Sequence, residues 1–146
     1  MIVPRYYEDL HMLHENTMPD RCYYIPASTR MDCLIETRDK SDRFQMLNGN
    51  WKFKYYSSIY DLEVPFFHVE HDVSDYEEVA VPGIWQNYGY DIHQYANIRY
   101  PFPVDPPYVP QENPCATYIH KFTYQKDQKA PKVFLEFEGV DSCFYV

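Results

Sequence analysis

Two pairs of carboxyl side chains are the groups in this sequence that could catalyse a hydrolytic reaction. Two carboxyls held side by side can act as an acid and a nucleophile. Glu77 and Glu78 are adjacent in a predicted strand, so we expect them to point to opposite faces. Glu136 and Glu138 share a face, which we interpret as the solvated side of a strand. We therefore assign no catalytic residue in this chain.

The histidines and cysteines predict no metal site. His68 and His71 lack the i, i+4 spacing of helical zinc sites, and no third ligand is apparent, so we interpret them as surface histidines. The four cysteines are widely spaced and form no Cys-x-x-Cys pair, which favours reduced thiols over a disulfide framework. They are Cys22, Cys33, Cys115 and Cys143.

Asn97 has a polar side chain that could bind a neutral ligand. An amide offers two donors and an acceptor, which fits a polyol better than a charge does. From the residues alone, an asparagine that closes a turn before a strand is the simpler interpretation. Nearby aromatic residues could stack on a sugar ring, but core packing is the alternative and is favoured for Trp85. These aromatic residues are Trp85, Tyr88, Tyr90 and Tyr95.

Composition places the chain among globular proteins. Its 146 residues are 45% hydrophobic and 18% aromatic, enough apolar material for one domain with a core. A net charge of -9 argues against nucleic-acid binding, which needs clustered Lys and Arg. The apolar runs are too short for a membrane span, and the first residues lack the apolar core of a signal peptide. We expect a cytoplasmic protein with no membrane partner.

The elements that must position these residues are predicted to be short strands. Alternation over Trp51, Phe53 and Tyr55 indicates a strand with one buried face. A short second strand is predicted at Val79 to Val81. A third strand is predicted at 117–124, with Tyr118, Phe122 and Tyr124 on one face. A polar turn at 125–131 then leads to a fourth strand around Val133, Leu135 and Phe137. Without a convincing long helix, the pattern predicts an all-β antiparallel sandwich.

Two segments fall outside the predicted strands. Residues 1–43 form an arm that is interrupted by prolines. Only residues 6–13 of the arm could hold a short helix. The apolar side chains of the arm predict that it packs against another surface. Residues 101–114 contain six of the twelve prolines and should run extended over the surface as a rigid connector. A proline-rich ligand for another domain is the weaker alternative, because we expect Tyr100, Phe102, Tyr108 and Val109 to pack within the chain.

A resemblance to a known family covers roughly residues 44–146. The stretches that carry it are 47–53 (LNGNWKF), 81–91 (VPGIWQNYGYD), 95–101 (YANIRYP), 101–110 (PFPVDPPYVP) and 137–142 (FEGVDS). In this order they resemble the N-terminal domain of the β-galactosidases of glycoside hydrolase family 2. The resemblance implies a jelly roll of the galactose-binding-domain type at 44–146, truncated and preceded by the 1–43 arm. It also implies that such arms pack on neighbouring domains or subunits.

The same resemblance implies a role for Asn97 and none in catalysis for this chain. In the family, the loop with the Tyr-x-Asn-Ile-x-Tyr-Pro pattern reaches the active site, and its asparagine bonds galactosyl hydroxyls. The following proline-rich stretch braces that loop. A retaining mechanism needs two carboxyls about 5 to 5.5 Å apart, and in the family these glutamates lie on a later barrel. Mg and Na are implied for the complete enzyme and no cofactor for this chain.

The function implied is that of an N-terminal segment of a β-galactosidase-like hydrolase that supports the barrel and shapes the galactose pocket. Its partners would be the β-galactoside, the remaining domains and other subunits of a homo-oligomer. Other activities of the family, such as β-glucuronidase, fit the motifs less well. A free-standing carbohydrate-binding module and a fragment that complements a truncated enzyme remain alternatives. Cys115 departs from the Thr-Gly that many relatives carry nearby, so the local turn is expected to differ.

Overall fold

The fold is one antiparallel sheet of three strands with extended segments around it. It was obtained as a computed structural model, which describes residues 2–31, 35–95, 97 and 99–146. The strands are β1 (Gly49–Tyr56), β2 (Glu77–Val81) and β3 (Cys115–Ile119), in the order β2-β1-β3. The all-β antiparallel class is confirmed. The sandwich stays a prediction, because the described residues form a single sheet.

The helical segments of the described residues are short 3-10 turns. They lie at Tyr6–Glu8, Ile35–Lys40, Ile59–Asp61 and Trp85–Tyr88. The helix expected over 6–13 is therefore reduced to one turn. It ends where Asp9 adopts an extended backbone and its carboxylate accepts from the amide of His11, a local bond that competes with helix continuation.

The central strand β1 carries the core. Phe53 is 1% exposed, and it lies opposite Glu77 of β2 and Tyr118 of β3. Trp51 and Tyr55 on the same face are half-buried, but so are Lys52, Lys54 and Tyr56 on the other face. The strand is therefore confirmed, whereas the single buried face was wrong. The buried apolar side chains of the described residues are Phe53, Ile59, Leu62, Tyr76 and Val79.

The other face of β1 is covered by Tyr76. Its hydroxyl accepts a hydrogen bond of 2.9 Å from Thr117, which is 2% exposed, and lies 3.1 Å from Nε2 of His71. Lys54, which is opposite Thr117 in the ladder, pairs with Asp75. Buried polar groups are normally hydrogen-bonded, and this network meets that requirement.

Two strand predictions were wrong in part. The strand expected at 117–124 ends at Ile119, where it pairs with Lys52. No strand forms around Val133, Leu135 and Phe137, because the described residues provide no neighbouring strand for this segment, and its glutamates bind arginines of the arm. The polar turn expected at 125–131 is confirmed by the Ala130 amide, which donates to Asp127.

The arm lies against its own chain. Arg5 donates to the Tyr60 hydroxyl at 2.9 Å, and the Tyr145 hydroxyl donates to the carbonyl of Pro4 at 2.9 Å. Glu8 accepts from the amide of Val109 at 3.4 Å. The first residues of the arm thus contact three separate parts of the domain.

The proline-rich connector is docked at its second end only. The Ser58 hydroxyl donates to the carbonyl of Gln111 at 2.5 Å, and the Ile59 amide donates to Asn113 at 2.9 Å. The expected surface course is confirmed, but the packing expected for its aromatic residues was wrong. Tyr100 is 76% exposed, and Phe102 and Tyr108 are also exposed. No described residue covers this part of the connector.

The exposed surface is large for the size of the chain. The chain exposes 12410 Å², whereas a compact monomer of 17.6 kDa exposes about 7900 Å². The excess includes many large apolar side chains along the 92–108 and 133–146 stretches. Apolar surface of this extent is typical of sites that contact protein, membrane or ligand.

Candidate functional site

Five rings form a cluster on the Phe53 face of the sheet. The Phe53 ring lies 4.9 Å from Tyr118 and 5.1 Å from Tyr90, measured between centroids. Tyr55 stacks on Tyr90 at 5.2 Å and meets Trp85 edge-on at 5.6 Å. Aromatic pairs at these separations contribute packing energy beyond their buried area. Tyr90 and the turn at Trp85–Tyr88 are therefore fixed to the sheet.

Two glycines and one tyrosine shape the turn that leads away from β2. A Cβ on Gly83 would lie 2.6 Å from the carbonyl oxygen of Ala80, so only glycine fits there. The Tyr88 hydroxyl accepts from the amide of Ala80 at 2.9 Å and donates to its carbonyl at 3.3 Å. Gly89 closes the turn with φ +87°, which favours glycine. The 81–91 motif thus encodes a backbone tether and a turn.

Trp85 is placed in the packed cluster rather than on an open platform. Its indole nitrogen Nε1 is buried and has no hydrogen-bond partner among the described residues. Tyr95, by contrast, is 79% exposed. The aromatic residues from 85 to 95 therefore do not share one environment, and core packing accounts for Trp85 and Tyr90.

The Tyr90 hydroxyl links this cluster to a carboxylate. Its hydrogen bond with Glu77 and its loss of hydration both raise the pKa of Tyr90. Glu78, the neighbour of Glu77, points to the other face and pairs with Lys52 at 3.1 Å. The expected opposite orientation of the two glutamates is confirmed.

Glu136 and Glu138 are engaged by the arm. Glu136 pairs with Arg21 at 3.1 Å, and Glu138 pairs with Arg38. The interpretation of these residues as a strand face was wrong, because the segment is not a strand. Both glutamates are exposed to solvent, as expected.

Asn97 lies in a turn at the end of an exposed loop. The loop begins at Asp91, which has φ +59° and accepts the amide of Ile92 at 2.8 Å through its own carboxylate. Tyr95, Asn97 and Arg99 are all exposed. Ala96 and Ile98 of the same motif lie outside the described residues. The loop presents the Asn97 amide to its surroundings, and the role of Asn97 stays a prediction.

The described residues contain no group of three or more His, Cys, Asp or Glu side chains that could hold a metal ion. His71 contacts Tyr76 instead. Mg and Na stay expectations for the complete enzyme. In the described part of the chain, no helical segment has both the length and the apolar character needed to span a bilayer.

Three of the cysteines are free thiols, and Cys33 lies outside the described residues. Cys115 begins β3 and packs near the Ile59–Asp61 turn. Burial, with a smaller contribution from the charge of Asp61, raises the pKa of the Cys115 thiol to about 11. A thiol with so high a pKa is a poor nucleophile at neutral pH.

Comparison with known proteins assigns the family. The sequence model of the glycosyl hydrolases family 2 sugar binding domain matches residues 44–146, so this chain belongs to that family. The chain is 44% identical over 146 residues to a β-galactosidase of Actinobacillus pleuropneumoniae and 41% identical over 147 residues to one of Staphylococcus xylosus. A β-galactosidase of Oenococcus oeni is 37% identical over 134 residues, which cover 90% of this chain and 13% of that relative.

The relatives are much longer than this chain. The two most similar of these three match 100% of the chain, but the match covers only 14% of each relative. The chain thus spans about a seventh of their length.

Proposed function

We propose that this chain is the N-terminal segment of a β-galactosidase and that it supports the catalytic domain and contributes Asn97 to the galactose pocket. The observation that carries the proposal is the match of the whole chain to one end of proteins named β-galactosidase. In the complete enzyme, terminal β-galactosides such as lactose would be hydrolysed with retention by two glutamates outside this chain. Residues 1–43 would serve as its arm.

The carboxylates of this chain support a non-catalytic role. Glu77 bonds with Tyr90 and Glu78 with Lys52, on opposite faces of the sheet. Glu136 and Glu138 are paired with arginines. A retaining hydrolase needs one carboxyl kept protonated and a second one free to attack, and these pairs provide neither.

The exposed surface supports a role as a building block of a larger enzyme. The apolar side chains around the Asn97 loop include Ile92, Tyr95, Tyr100 and Val104. Burying such side chains stabilises by about 1.5 to 3 kcal/mol each. Contact with the remaining domains, or with other subunits of a homo-oligomer, would provide this stabilisation and would fix the loop against the active site.

The chemistry of Asn97 suits the proposed ligand. A galactosyl group offers neutral hydroxyls that both donate and accept hydrogen bonds, and a primary amide can match both. The loop is attached to the sheet at Tyr90 through aromatic contacts, which supports a defined position for the amide.

Complementation tests the proposal. The purified chain would be assayed on a chromogenic β-galactoside alone and mixed with the A. pleuropneumoniae relative from which the matching region has been removed. We expect activity only in the mixture. Activity of the chain alone would contradict the proposal, because a carboxyl pair of this chain would then have to be catalytic. Silence in both assays with galactose binding by the chain would favour the free-standing carbohydrate-binding module.

Substitution of Asn97 tests the pocket assignment separately. In the complementing mixture, Asn97→Ala should lower kcat/KM about 10- to 100-fold, the range expected for lost hydrogen bonds to substrate. Asn87→Ala removes another exposed amide from the same region and is the control. Equal activity of the two variants, with unchanged assembly, would contradict a role of Asn97 in the pocket.

The proposal also covers the metal ions and the cellular location of the complete enzyme. Mg and Na would be bound by residues outside this chain, in a cytoplasmic enzyme. A chelator should then reduce the activity of the complemented mixture without changing the melting temperature of the isolated chain. A lower melting temperature of the chain alone would place a metal site within it.

A further inference from the structure

The two outer strands of the sheet differ in how their edges are protected. β2 begins with Glu77 and Glu78, and Pro82 follows directly after its last residue. In between, the hydroxyl of Tyr88 bonds both backbone groups of Ala80. Charged side chains, proline and covered backbone groups keep an edge strand from pairing with another chain. The edge of β2 is therefore poorly suited to accept a further strand.

The outer edge of β3 has none of these features. The strand Cys115–Ile119 contains neither a charged residue nor a proline. Among the described residues, no strand pairs with β3 on the side away from β1. Tyr118 is exposed and Ala116 is half-buried, so solvent reaches this edge.

The bonds of Ala80 show how the backbone groups of the sheet are directed. The amide and carbonyl of Ala80 face Tyr88 and therefore point away from β1, where Asn50 lies opposite Ala80. In an antiparallel ladder, such a pair alternates with pairs that exchange both hydrogen bonds. Asn50 and every second residue after it thus direct their backbone groups toward β3. Lys54 and Thr117, which lie opposite each other, are one of the hydrogen-bonded pairs.

The same alternation gives two residues of β3 outward backbone groups. Because Thr117 faces β1, the amides and carbonyls of Ala116 and Tyr118 point away from the sheet. The carbonyl of Asn113, four positions before Thr117, accepts from Ile59 shortly after β1, which agrees with this direction. No other described residue bonds the outward groups of Ala116 or Tyr118. The edge of β3 thus offers two donors and two acceptors to a partner.

This edge is complementary to itself. When two antiparallel copies of β3 meet at Thr117, Ala116 of one copy lies opposite Tyr118 of the other. Each such pair exchanges two hydrogen bonds, and the two-fold axis between the copies generates the second pair. The axis passes between the two Thr117 residues. A second copy of β3 therefore satisfies all the outward groups of the first.

We propose that two copies of this chain associate through the outer edges of β3. Their sheets then join into one sheet of six strands, three from each copy. Since the contact is small, we expect a dissociation constant of roughly 0.1 mM. Each copy has a net charge of -9, so the copies repel each other and salt should strengthen the association. The inference concerns this chain by itself and does not rest on the proposed β-galactosidase function.

Sedimentation of the full 146-residue chain tests the association. The average mass should rise from near that of one chain, 17.6 kDa, at about 0.01 mM toward twice that mass at about 1 mM. Raising NaCl from about 0.05 M to about 0.5 M should increase the share of the dimer. A mass that stays at that of one chain at about 1 mM protein in the higher salt would overturn the proposal.

Hydrogen exchange measured by NMR tests the edge that is used. Between about 0.05 mM and 1 mM protein, exchange of the Ala116 and Tyr118 amides should slow about threefold, the ratio of unpaired chain at a dissociation constant of about 0.1 mM. The amide of Thr117 already bonds to β1 and should stay protected at both concentrations. Association without new protection at Ala116 and Tyr118, or with new protection at 133–138 instead, would overturn the proposal.

Ala116→Pro should weaken the association and leave the ladder with β1 intact, because it removes an outward N–H and proline is accepted at such edge positions. Two of the four bonds are lost in each dimer, so the dissociation constant should rise about tenfold or more. Ala116→Ser keeps the amide and is the matched control, which should stay within about twofold of the unmodified chain.

Protection of the β1 amides shows whether Ala116→Pro has folded. A folded Ala116→Pro chain that associates as strongly as Ala116→Ser would contradict pairing through β3. The exchange pattern of the unmodified chain decides between the outcomes even where this variant does not fold.

Discussion

The hydroxyl of Tyr88 binds both backbone groups of Ala80, accepting from the amide at 2.9 Å and donating to the carbonyl at 3.3 Å. One side chain thus completes the outer edge of β2 at this residue and holds the following turn beside it. This tether fixes the direction in which the chain leaves the sheet toward Asn97.

Removing this tether should loosen the turn. We expect Tyr88→Phe to lower the free energy of unfolding by about 1 kcal/mol, since two hydrogen bonds are lost while the ring stays. Urea unfolding would measure the change. Tyr95→Phe removes an exposed hydroxyl and should stay within about 0.5 kcal/mol. An effect of Tyr88→Phe no larger than that of Tyr95→Phe would show that water replaces the tether.

Glycine should be required at position 83 and not at position 139. Gly83→Ala places a Cβ 2.6 Å from a backbone oxygen, so the backbone must shift, and we expect a loss of about 1 to 3 kcal/mol. A Cβ on Gly139 meets nothing within 4 Å, and Gly139→Ala should be nearly neutral. Thermal unfolding of both variants checks this. Equal melting temperatures would mean that the turn relaxes without cost.

The buried bond between Thr117 and Tyr76 should appear as a coupling energy. Thr117→Val and Tyr76→Phe should each cost about 1 to 2 kcal/mol, because each leaves the partner hydroxyl short of a bond. The double variant should cost about 1 kcal/mol less than the sum of the two. Urea unfolding of the four proteins measures the cycle, with the exposed Thr123→Val as the control. Strict additivity would show that the two hydroxyls do not depend on each other.

Stability should fall at alkaline pH because of Cys115. The thiol pKa is about 11 in the folded chain against 9.0 for the free group. Between these values the unfolded chain has lost the thiol proton and the folded chain has kept it, so the free energy of unfolding decreases as pH rises. Below pH 9 this contribution is constant.

The difference between Cys115→Ala and the unmodified chain isolates this effect from the tyrosines that also titrate there. The difference in unfolding free energy between the two proteins should change between pH 8 and pH 10.5. It should be constant between pH 6 and pH 8. These pH values lie roughly half a unit or more from the two pKa values. A flat difference throughout would mean that the Cys115 thiol titrates as a free one.

Sequence periodicity predicted the centre of the fold because those residues make their contacts with neighbouring strands. The alternation at Trp51, Phe53 and Tyr55 predicted β1, although both faces of that strand are partly covered, and β2 ends at Val81, before Pro82, as expected. The same kind of pattern around Val133 to Phe137 failed, because a strand needs a partner and alternation alone does not provide one.

The long-range contacts could not be read from local patterns. Nothing near Glu136 or Glu138 indicates that Arg21 and Arg38 bind them, since these residues are 115 and 100 positions away. For the tether, proline and glycine at 82 and 83 predicted the end of β2, but no pattern indicated that Tyr88 would bind Ala80. For Asn97, the Tyr-x-Asn-Ile-x-Tyr-Pro motif predicts binding of galactosyl hydroxyls. The turn leaves the Asn97 side chain exposed, which is compatible with that role.

The distance along the chain between the arm and the residues that it contacts also sets the order in which these contacts are made. Arg21 is 115 positions from Glu136, and Pro4 is 141 positions from Tyr145. At a synthesis rate of about 5 to 20 residues per second, the ribosome needs roughly 6 to 23 s to make Glu136 after Arg21. Throughout that interval the arm has emerged without the segment that binds it. The part of the protein that is made first is thus the last to reach its final place.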